Sequence, residues 1–415
     1  MSMARSHPCA TGCEGESYGA KWLSPPTDWN KGLIMKLSIS REAFLKEVQK
    51  IQSITPIKGT KPILSSFMLE ATEDGIYMSA TDLDVGLKIL IDAEVADKGA
   101  ICLPARVVYD IVRELPEKSS ISMKLEENNR LRLQCLHSVF HVPGIAADEF
   151  PPFPEIDVKS LHPINLGILL DMIVKVNVAV PAVEQKLYNA PAGALFAVTD
   201  KGMESVGTDG HRMAYIYTEK IGLPFRSTMV LPKKLLDELP KILTDWEKGK
   251  GKGATAEDSE ETVKIGLTGN HCVFSLPDIQ FFARLLEHKF PDYKGPITVE
   301  NDKRAIIDRE RFRQAVRRVS LITEKREWFI LFKLAPGSLT LDSESAEVGD
   351  AHDEIEIEYQ GEPLEIGFNP KYILDFLGVI DGTDVVLEMS DNESLAIMKP
   401  RDNENVKFII MPVRL

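Results

Sequence analysis

The sequence predicts an α+β protein made of three similar domains, each of antiparallel sheets with two helices. Three recurring pieces predict it: a strand followed by an amphipathic helix, a strand opened by glycine, and an apolar strand end leading through proline into a helix. They return in the same order at a spacing of roughly 130 residues, far longer than a solenoid unit, so each copy is domain-sized.

Residues 1–34 show no periodicity and are rich in Gly, Pro and Ser, and they read as a disordered leader or tag outside the fold. Alternation starts at Met35-Lys36-Leu37. Ser40 then offers an N-cap before the apolar stripe Phe44, Leu45, Val48 and Ile51, and Asp308 offers one before Phe312, Ala315, Val316 and Val319. The stretch from Ile164 to Val180 takes the same place in the middle copy. The glycine-opened strand is GIYMSATDLDVGLKI from Gly75, GMESVGTDGHRMAYI from Gly202 and GSLTLDSESAEVGDA from Gly337. The third piece is CLPARVVYDIVREL from Cys102, VLPKKLLDELPKIL from Val230 and GFNPKYILDFLGVI from Gly367. Proline is tolerated in a first helical turn, where its missing N–H has no intrahelical acceptor. Ile355 and Ile357 alternate with Glu354, Glu356 and Glu358, the pattern of an antiparallel strand with one wet face. The copies divide into 35–158, 159–302 and 303–415, after FPPFPEID and FPDYKGP, and the apolar-poor segment 248–261 reads as a mobile surface loop.

Chemistry is hard to find. The sequence holds no Walker loop, dinucleotide fingerprint, nucleophile elbow or H-E-x-x-H, so no catalytic residue and no cofactor is expected. Thr208-Asp209-Gly210-His211-Arg212 offers an acid beside a histidine, but Asp-Gly marks a turn, and a structural turn is the better reading. No metal site is expected either. Cys9 and Cys13 near His7 lack a second ligand pair, and the acids Asp342, Glu344, Glu347, Asp350 and Asp353 lack the spacing of a calcium loop. Cys102, Cys135 and Cys272 read as small core residues. With no signal-like or membrane-spanning apolar run in the sequence, a cytoplasmic protein is expected.

A net charge of −14 argues against simple electrostatic binding to duplex DNA. Yet basic residues recur on equivalent helices: Lys46 and Lys50, Arg313 and Arg317 with Arg318 beside them, Lys233 and Lys234, and Arg106. Each alone is an ordinary solvated helix face. Recurrence on helices that face one way gives a globally acidic protein a locally positive surface.

From Met35 to Leu415 the chain resembles the beta sliding clamps of bacterial DNA polymerase III. The resemblance is carried by Thr208-Asp209-Gly210-His211-Arg212, Phe290-Pro291-Asp292-Tyr293, Ile366-Gly367-Phe368-Asn369 and, at the terminus, Ile410-Met411-Pro412-Val413-Arg414-Leu415. Lesser matches are Pro62-Ile63-Leu64, Thr81-Asp82-Leu83, Leu103-Pro104-Ala105-Arg106 and Asp148-Glu149-Phe150-Pro151. The resemblance implies the DNA clamp fold: a head-to-tail homodimer closing six similar domains around duplex DNA, helices inside and sheets outside. Such a ring is retained by topology, which reconciles DNA with an acidic chain.

The resemblance also implies a pocket for short partner peptides between the second and third domains. Its residues here are Pro191, Thr208, Gly210, His211, Arg212, Met213, Pro291, Ile409, Ile410, Met411, Pro412, Val413, Arg414 and Leu415, with His211 and Arg212 as polar handles at the edge. Pro191 stands where relatives commonly have Leu, and Gly295-Pro296 where many have Arg-Val. Phe150, Leu321 and Ile322 match the ring-closing interface, and the following 323–328 depart from the family pattern. DNA-facing residues are Lys58, Arg106, Lys233 and Lys234 by match, and Arg313 and Arg317 by helix position. The implied partners are DNA without sequence preference, the clamp loader, the replicative polymerase, and other polymerases and repair proteins carrying clamp-binding peptides, with no membrane. The competing reading is a non-catalytic repeat-built interaction scaffold that does not encircle DNA.

Overall fold

A computed structural model describes residues 35–56, 61–219, 221–250, 262–323 and 329–414. The expected leader 1–34, Lys58, the larger part of the expected loop 248–261, most of the departing segment 323–328, and Leu415 therefore lie outside the described residues.

The first copy runs β1 (Lys36–Ser40), α1 (Arg41–Ile54), β2 (Ser66–Thr72), β3 (Gly75–Thr81), β4 (Val85–Ile91), β5 (Glu94–Asp97), β6 (Gly99–Pro104), α2 (Ala105–Glu114), β7 (Ser120–Glu126), β8 (Arg130–Cys135) and β9 (Ser138–Pro143). The second runs β10 (His162–Asn165), α3 (Leu166–Asn177), β11 (Gly193–Val198), β12 (Gly202–Thr208), β13 (Arg212–Glu219), β14 (Ser227–Pro232), α4 (Lys233–Lys250), β15 (Thr262–Thr268), β16 (His271–Ser275) and β17 (Ile279–Arg284). A short helix, α5 (Lys294–Ile297), lies in the connection to the third. The third runs β18 (Lys303–Asp308), α6 (Arg309–Val319), β19 (Ile330–Ala335), β20 (Ser338–Ser345), β21 (Gly349–Glu356), β22 (Leu364–Phe368), α7 (Pro370–Leu377), β23 (Asp384–Met389), β24 (Ala396–Pro400) and β25 (Val406–Ile410).

The same local physics starts each copy. The side chains of Ser40, Asn165 and Asp308 accept hydrogen bonds from the N–H groups of Ala43, Ile168 and Arg311 and so cap α1, α3 and α6. Behind each cap an apolar stripe is buried: Phe44, Val48 and Ile51; Leu169, Met172, Ile173 and Val176; Phe312, Ala315, Val316 and Val319. The second helix packs beside the first in every copy, α1 with α2, α3 with α4 and α6 with α7.

Helix α4 carries Pro240 in its interior yet continues to Lys250, beyond the start expected for the 248–261 loop. Proline removes the hydrogen bond to the carbonyl four residues earlier. That carbonyl, of Leu236, accepts instead from the Asn177 amide of α3 at 3.4 Å. Further along, Trp246 Nε1 donates to Asp278 Oδ1 at 2.9 Å and pins the helix end to the sheet.

The sheets disregard the boundaries between copies. Strands β10-β15-β16-β17 join β4-β3-β2-β6 in one eight-stranded sheet, with Phe281 of β17 opposite Leu87 of β4. Strands β14-β11-β12-β13 join β25-β24-β23-β18 in another, with Met213 of β13 opposite Ile409 of β25. Two smaller sheets, β5-β1-β7-β8-β9 and β21-β20-β19-β22, stand at the two ends of the chain. The inner faces of all four sheets and the helix stripes belong to one contiguous core.

Strand β3 begins at Gly75 with φ +126°, and a Cβ there would lie 2.4 Å from the Ile91 carbonyl oxygen of the neighbouring strand. A side chain at this point meets both an unfavourable dihedral and fixed backbone. Gly75→Ala is expected to lower the free energy of unfolding by about 2 kcal/mol. Urea denaturation measures it, and a loss below about 0.5 kcal/mol would show that the strand entry has room.

Candidate functional site

The Thr208–Arg212 segment is a turn whose polar groups are satisfied by its own backbone. Thr208 Oγ1 donates to the Arg212 carbonyl at 2.8 Å and accepts from the Gly210 N–H at 3.1 Å, while Asp209 Oδ1 accepts from the N–H groups of His211 and Arg212, each at 3.0 Å. The first copy builds the same turn: Thr81 Oγ1 donates to Val85 O, and Asp82 Oδ1 accepts from Asp84 and Val85. In the third, Ser345 Oγ accepts from Glu347 and Val348. These side chains are occupied in turn geometry, which leaves no acid–base pair on His211.

Gly210 has φ +89°, and a Cβ there would come within 2.3 Å of the Tyr188 ring. Glycine therefore serves twice, for the dihedral and for the ring that lies on it. Tyr188 meets the exposed His211 edge-on at 4.6 Å between ring centroids. Sequence reasoning passed over Tyr188. Its signal was a Leu187-Tyr188 pair set among polar loop residues.

The C-terminal strand completes the site. β25 pairs with β13, the Met411 N–H donates to the His211 carbonyl at 2.9 Å, and the Val413 N–H donates to Gly367 O at 2.8 Å. Strand β25 stops at Ile410, and past Met411 the ladder cannot continue because Pro412 has no N–H. Beside this junction the outer face of the sheet carries Leu195, Val206, Met213, Val230, Ile397 and Ile409, and Phe290, Tyr293 and Ile297 of the connecting segment pack on it. Tyr293 and Tyr215 donate to the Glu204 carboxylate at 2.7 and 3.4 Å. Burial, reinforced by that carboxylate, pushes Tyr215 up to about 12.

An apolar rim remains open to solvent: Val183, Leu187, Tyr188 and Met411 are all exposed, with Pro291, Pro412 and Val413 half-buried and Arg414 exposed nearby. Three expected pocket residues are placed differently. Ile410 points into the helix-side core, since neighbours on a strand face opposite ways and Ile409 takes the outer face. Pro191 is buried rather than open to solvent. Arg212 is no edge handle but a buried cation linking two copies. Its Nε donates to Asp209 at 3.0 Å, its Nη1 to Asp375 of α7 at 2.7 Å, and its guanidinium lies 4.3 Å from the Tyr372 ring centre. Behind it, α3, α4 and α7 enclose a cleft of about 760 Å³ that Lys233, Asp237, Lys371 and Asp375 line.

Of the expected DNA-facing residues, Arg106 is exposed, 3.9 Å from Asp110. Arg317 is exposed with no ion-pair partner among the described residues. Arg313 is held by Glu310 through bonds of 2.9 and 2.8 Å, which keep that carboxyl at about 2. Lys233 is bonded to Asn177 and Asp237, and Lys234 reaches across copies to Asp82 and the Ile54 carbonyl. Lys233 is thus tied within its own copy, and Lys234 to the first copy, which the start of α4 abuts. At the expected interface Leu321 is 76% exposed and Ile322 half-buried, whereas Phe150 is buried in its own chain, 6.0 Å from the Phe153 ring.

Comparison with known proteins agrees along the chain. Family models described as the N-terminal, central and C-terminal domains of the DNA polymerase III beta subunit match residues 35–154, 164–292 and 297–414. The beta sliding clamp of Caulobacter vibrioides is 30% identical over 391 residues, covering 92% of this chain and 100% of that protein. Among solved structures, the beta subunit of Pseudomonas aeruginosa superposes with a TM-score of 0.81 at 29% identity, covering 92% of this chain and 100% of that one. The Bartonella birtlesii clamp bound to griselimycin gives 0.83 at 28% identity, again covering 92% and 100%.

Replacing Arg212 leaves Asp209 and Asp375 facing each other without their shared cation. Arg212→Met is expected to cost about 3 kcal/mol, and His211→Ala, at an exposed site, under about 0.5 kcal/mol. Denaturant titrations of both variants check the contrast; equal losses would remove Arg212 from its linking role.

Proposed function

This chain belongs to the DNA polymerase III beta subunit family, and on that premise we propose that it closes as a head-to-tail dimer around duplex DNA and receives partner peptides at the Tyr188–His211–Met411 rim. It is a DNA sliding clamp, a non-catalytic processivity factor that works with DNA and a DNA polymerase.

One observation carries the ring. The joins inside the chain pair β4 with β17 and β13 with β25. In the repeat, β21 of the third copy corresponds to β4 and β13, and β9 of the first corresponds to β17 and β25. Among the described residues each of these counterparts is one edge of its terminal sheet, the other edges being β22 and β5. An unpaired edge presents a ladder of unmet N–H and C=O groups, and it invites the matching strand of another copy. Pairing β21 with β9 of a second chain repeats the internal joins and leaves no edge of this kind open in a closed dimer. Leu321, bare beyond α6, supplies apolar area to that join.

Retention in a ring comes from topology, so a net charge of −14 is no obstacle and dense phosphate pairing would only slow sliding. Most basic helix residues are already neutralised by neighbouring acids, and Arg106 and Arg317 are the exposed cations best placed to touch phosphate. Domains divided at 35–158, 159–302 and 303–415 follow from this reading. So does a cytoplasmic place, and among the described residues no helix is long and apolar enough to cross a membrane.

For partners we assign the exposed rim to short peptides from the clamp loader, the replicative polymerase, other polymerases and repair proteins. Apolar side chains with a few polar groups at the margin suit such ligands. The Bartonella relative holds griselimycin, so a small ligand binds a clamp of this fold.

Loaded protein should stay on nicked circular DNA at high salt and leave once the circle is linearised. Gel filtration before and after cutting reads this out, and retention on linear DNA would refute the ring. Removing residues 412–415 should leave the dimer intact while weakening a fluorescent clamp-binding peptide about tenfold, since each Å² of lost apolar contact is worth roughly 25 cal/mol. An unchanged affinity would put the peptide site elsewhere.

A further inference from the structure

We propose that the seam between two chains is locked by an ion pair between Arg318 and Glu117 of the partner subunit. The inference rests on the dimeric ring proposed above and goes beyond it in naming the charges that close it.

The argument comes from the internal repeat. Helices α1, α3 and α6 start from the caps Ser40, Asn165 and Asp308, and at the same interval beyond each cap stands a basic residue: Lys50, Lys175 and Arg318. Each has one carboxylate in its own copy. Lys50 meets Glu47 at 2.9 Å, Lys175 meets Asp171 at 2.7 Å, and Arg318 meets Asp353 at 2.7 Å. The first two also have a second carboxylate, supplied by the second helix region of the next copy. Lys50 reaches Asp245 of α4 at 3.3 Å, and Lys175 reaches Asp381, just past α7. No next copy follows Arg318 within the chain. Its side chain is accordingly 57% exposed, where those of Lys50 and Lys175 are 11% and 3% exposed.

The missing carboxylate can be located by the same register. Asp245 follows Lys233, the first residue of α4, by the same interval as Glu117 follows Ala105, the first residue of α2; Asp381 follows Pro370 at one residue less. Glu117 is exposed and has no ion-pair partner among the described residues, whereas Glu114 already meets Arg113 at 3.1 Å. The direction also fits. First helix to next second helix is the order at both internal joins, and it is the order produced when β21 of one chain meets β9 of another. Arginine suits the position, because its planar fork can hold Asp353 on one side and a second carboxylate on the other.

Sedimentation velocity over a concentration series tests the pair on the full chain and on R318E, E117R, the double R318E/E117R, D353N and L321K, with circular dichroism to verify folding. Each charge reversal should raise the dimer Kd about tenfold or more, the double swap should recover most of that loss, and D353N should fall closer to the parent than R318E. Exposed Glu117 can be reversed without touching a core, so E117R remains decisive if R318E fails to fold. A parent-like Kd for E117R, or a double swap no tighter than the weaker single, overturns the ion pair. If L321K is then monomeric while the parent dimerises, the ring itself stands. A parent that stays monomeric throughout overturns both.

Discussion

The architecture depends on one constraint, that an edge strand of one copy pairs with an edge strand of the next. Each copy builds two half-sheets, and a half-sheet with one face in the core cannot leave its last ladder unpaired without inviting association. Within the chain the constraint is met twice, by β4 with β17 and by β13 with β25. Everything that defines the site follows from the second of these joins. It brings the Thr208–Arg212 turn against α7, sets β25 next to His211, and makes the connecting segment with Phe290 and Tyr293 the cover of the outer face.

The electrostatics follow the same joins. Lys46 and Lys50 meet Asp245, Lys175 meets Asp381, Lys234 meets Asp82, and Arg212 meets Asp375, each pair spanning two copies. Cations that look from the sequence like a positive lining are in large part holding neighbours together. The positive surface is correspondingly sparse, which argues against retention on DNA by phosphate attraction alone.

Local features could be read from the sequence, and features made by distant partners could not. The caps Ser40 and Asp308, the glycine-opened strands and the Asp-Gly turn are written in contiguous residues, and they occur where spacing placed them. The fate of Arg212 depends on Asp375, and that of Lys234 on Asp82. Each partner lies in a different motif and a different copy from its cation, so a basic residue beside a pocket signature reads as part of the pocket. Ile410 was misplaced for a simpler reason. A consecutive run reads as one wall, whereas a strand shows only alternate residues to each side. Tyr188 was missed because an aromatic in an irregular loop has no period to betray it.

The join between β4 and β17 also bears on how the protein is made. Ile91 ends β4, but its partner strand does not begin until Ile279. At translation rates of about 5–20 residues per second, an emerging first copy waits on the order of ten seconds with that edge bare. An edge left bare for that long can pair with the same strand of another chain. The lysine at the middle of β4, Lys88, sits over the Tyr77 ring at 4.6 Å in the finished protein, and on a bare edge it would repel its own copy on the next chain. The chain thus risks mispairing on the ribosome, before β17 exists to cover that edge.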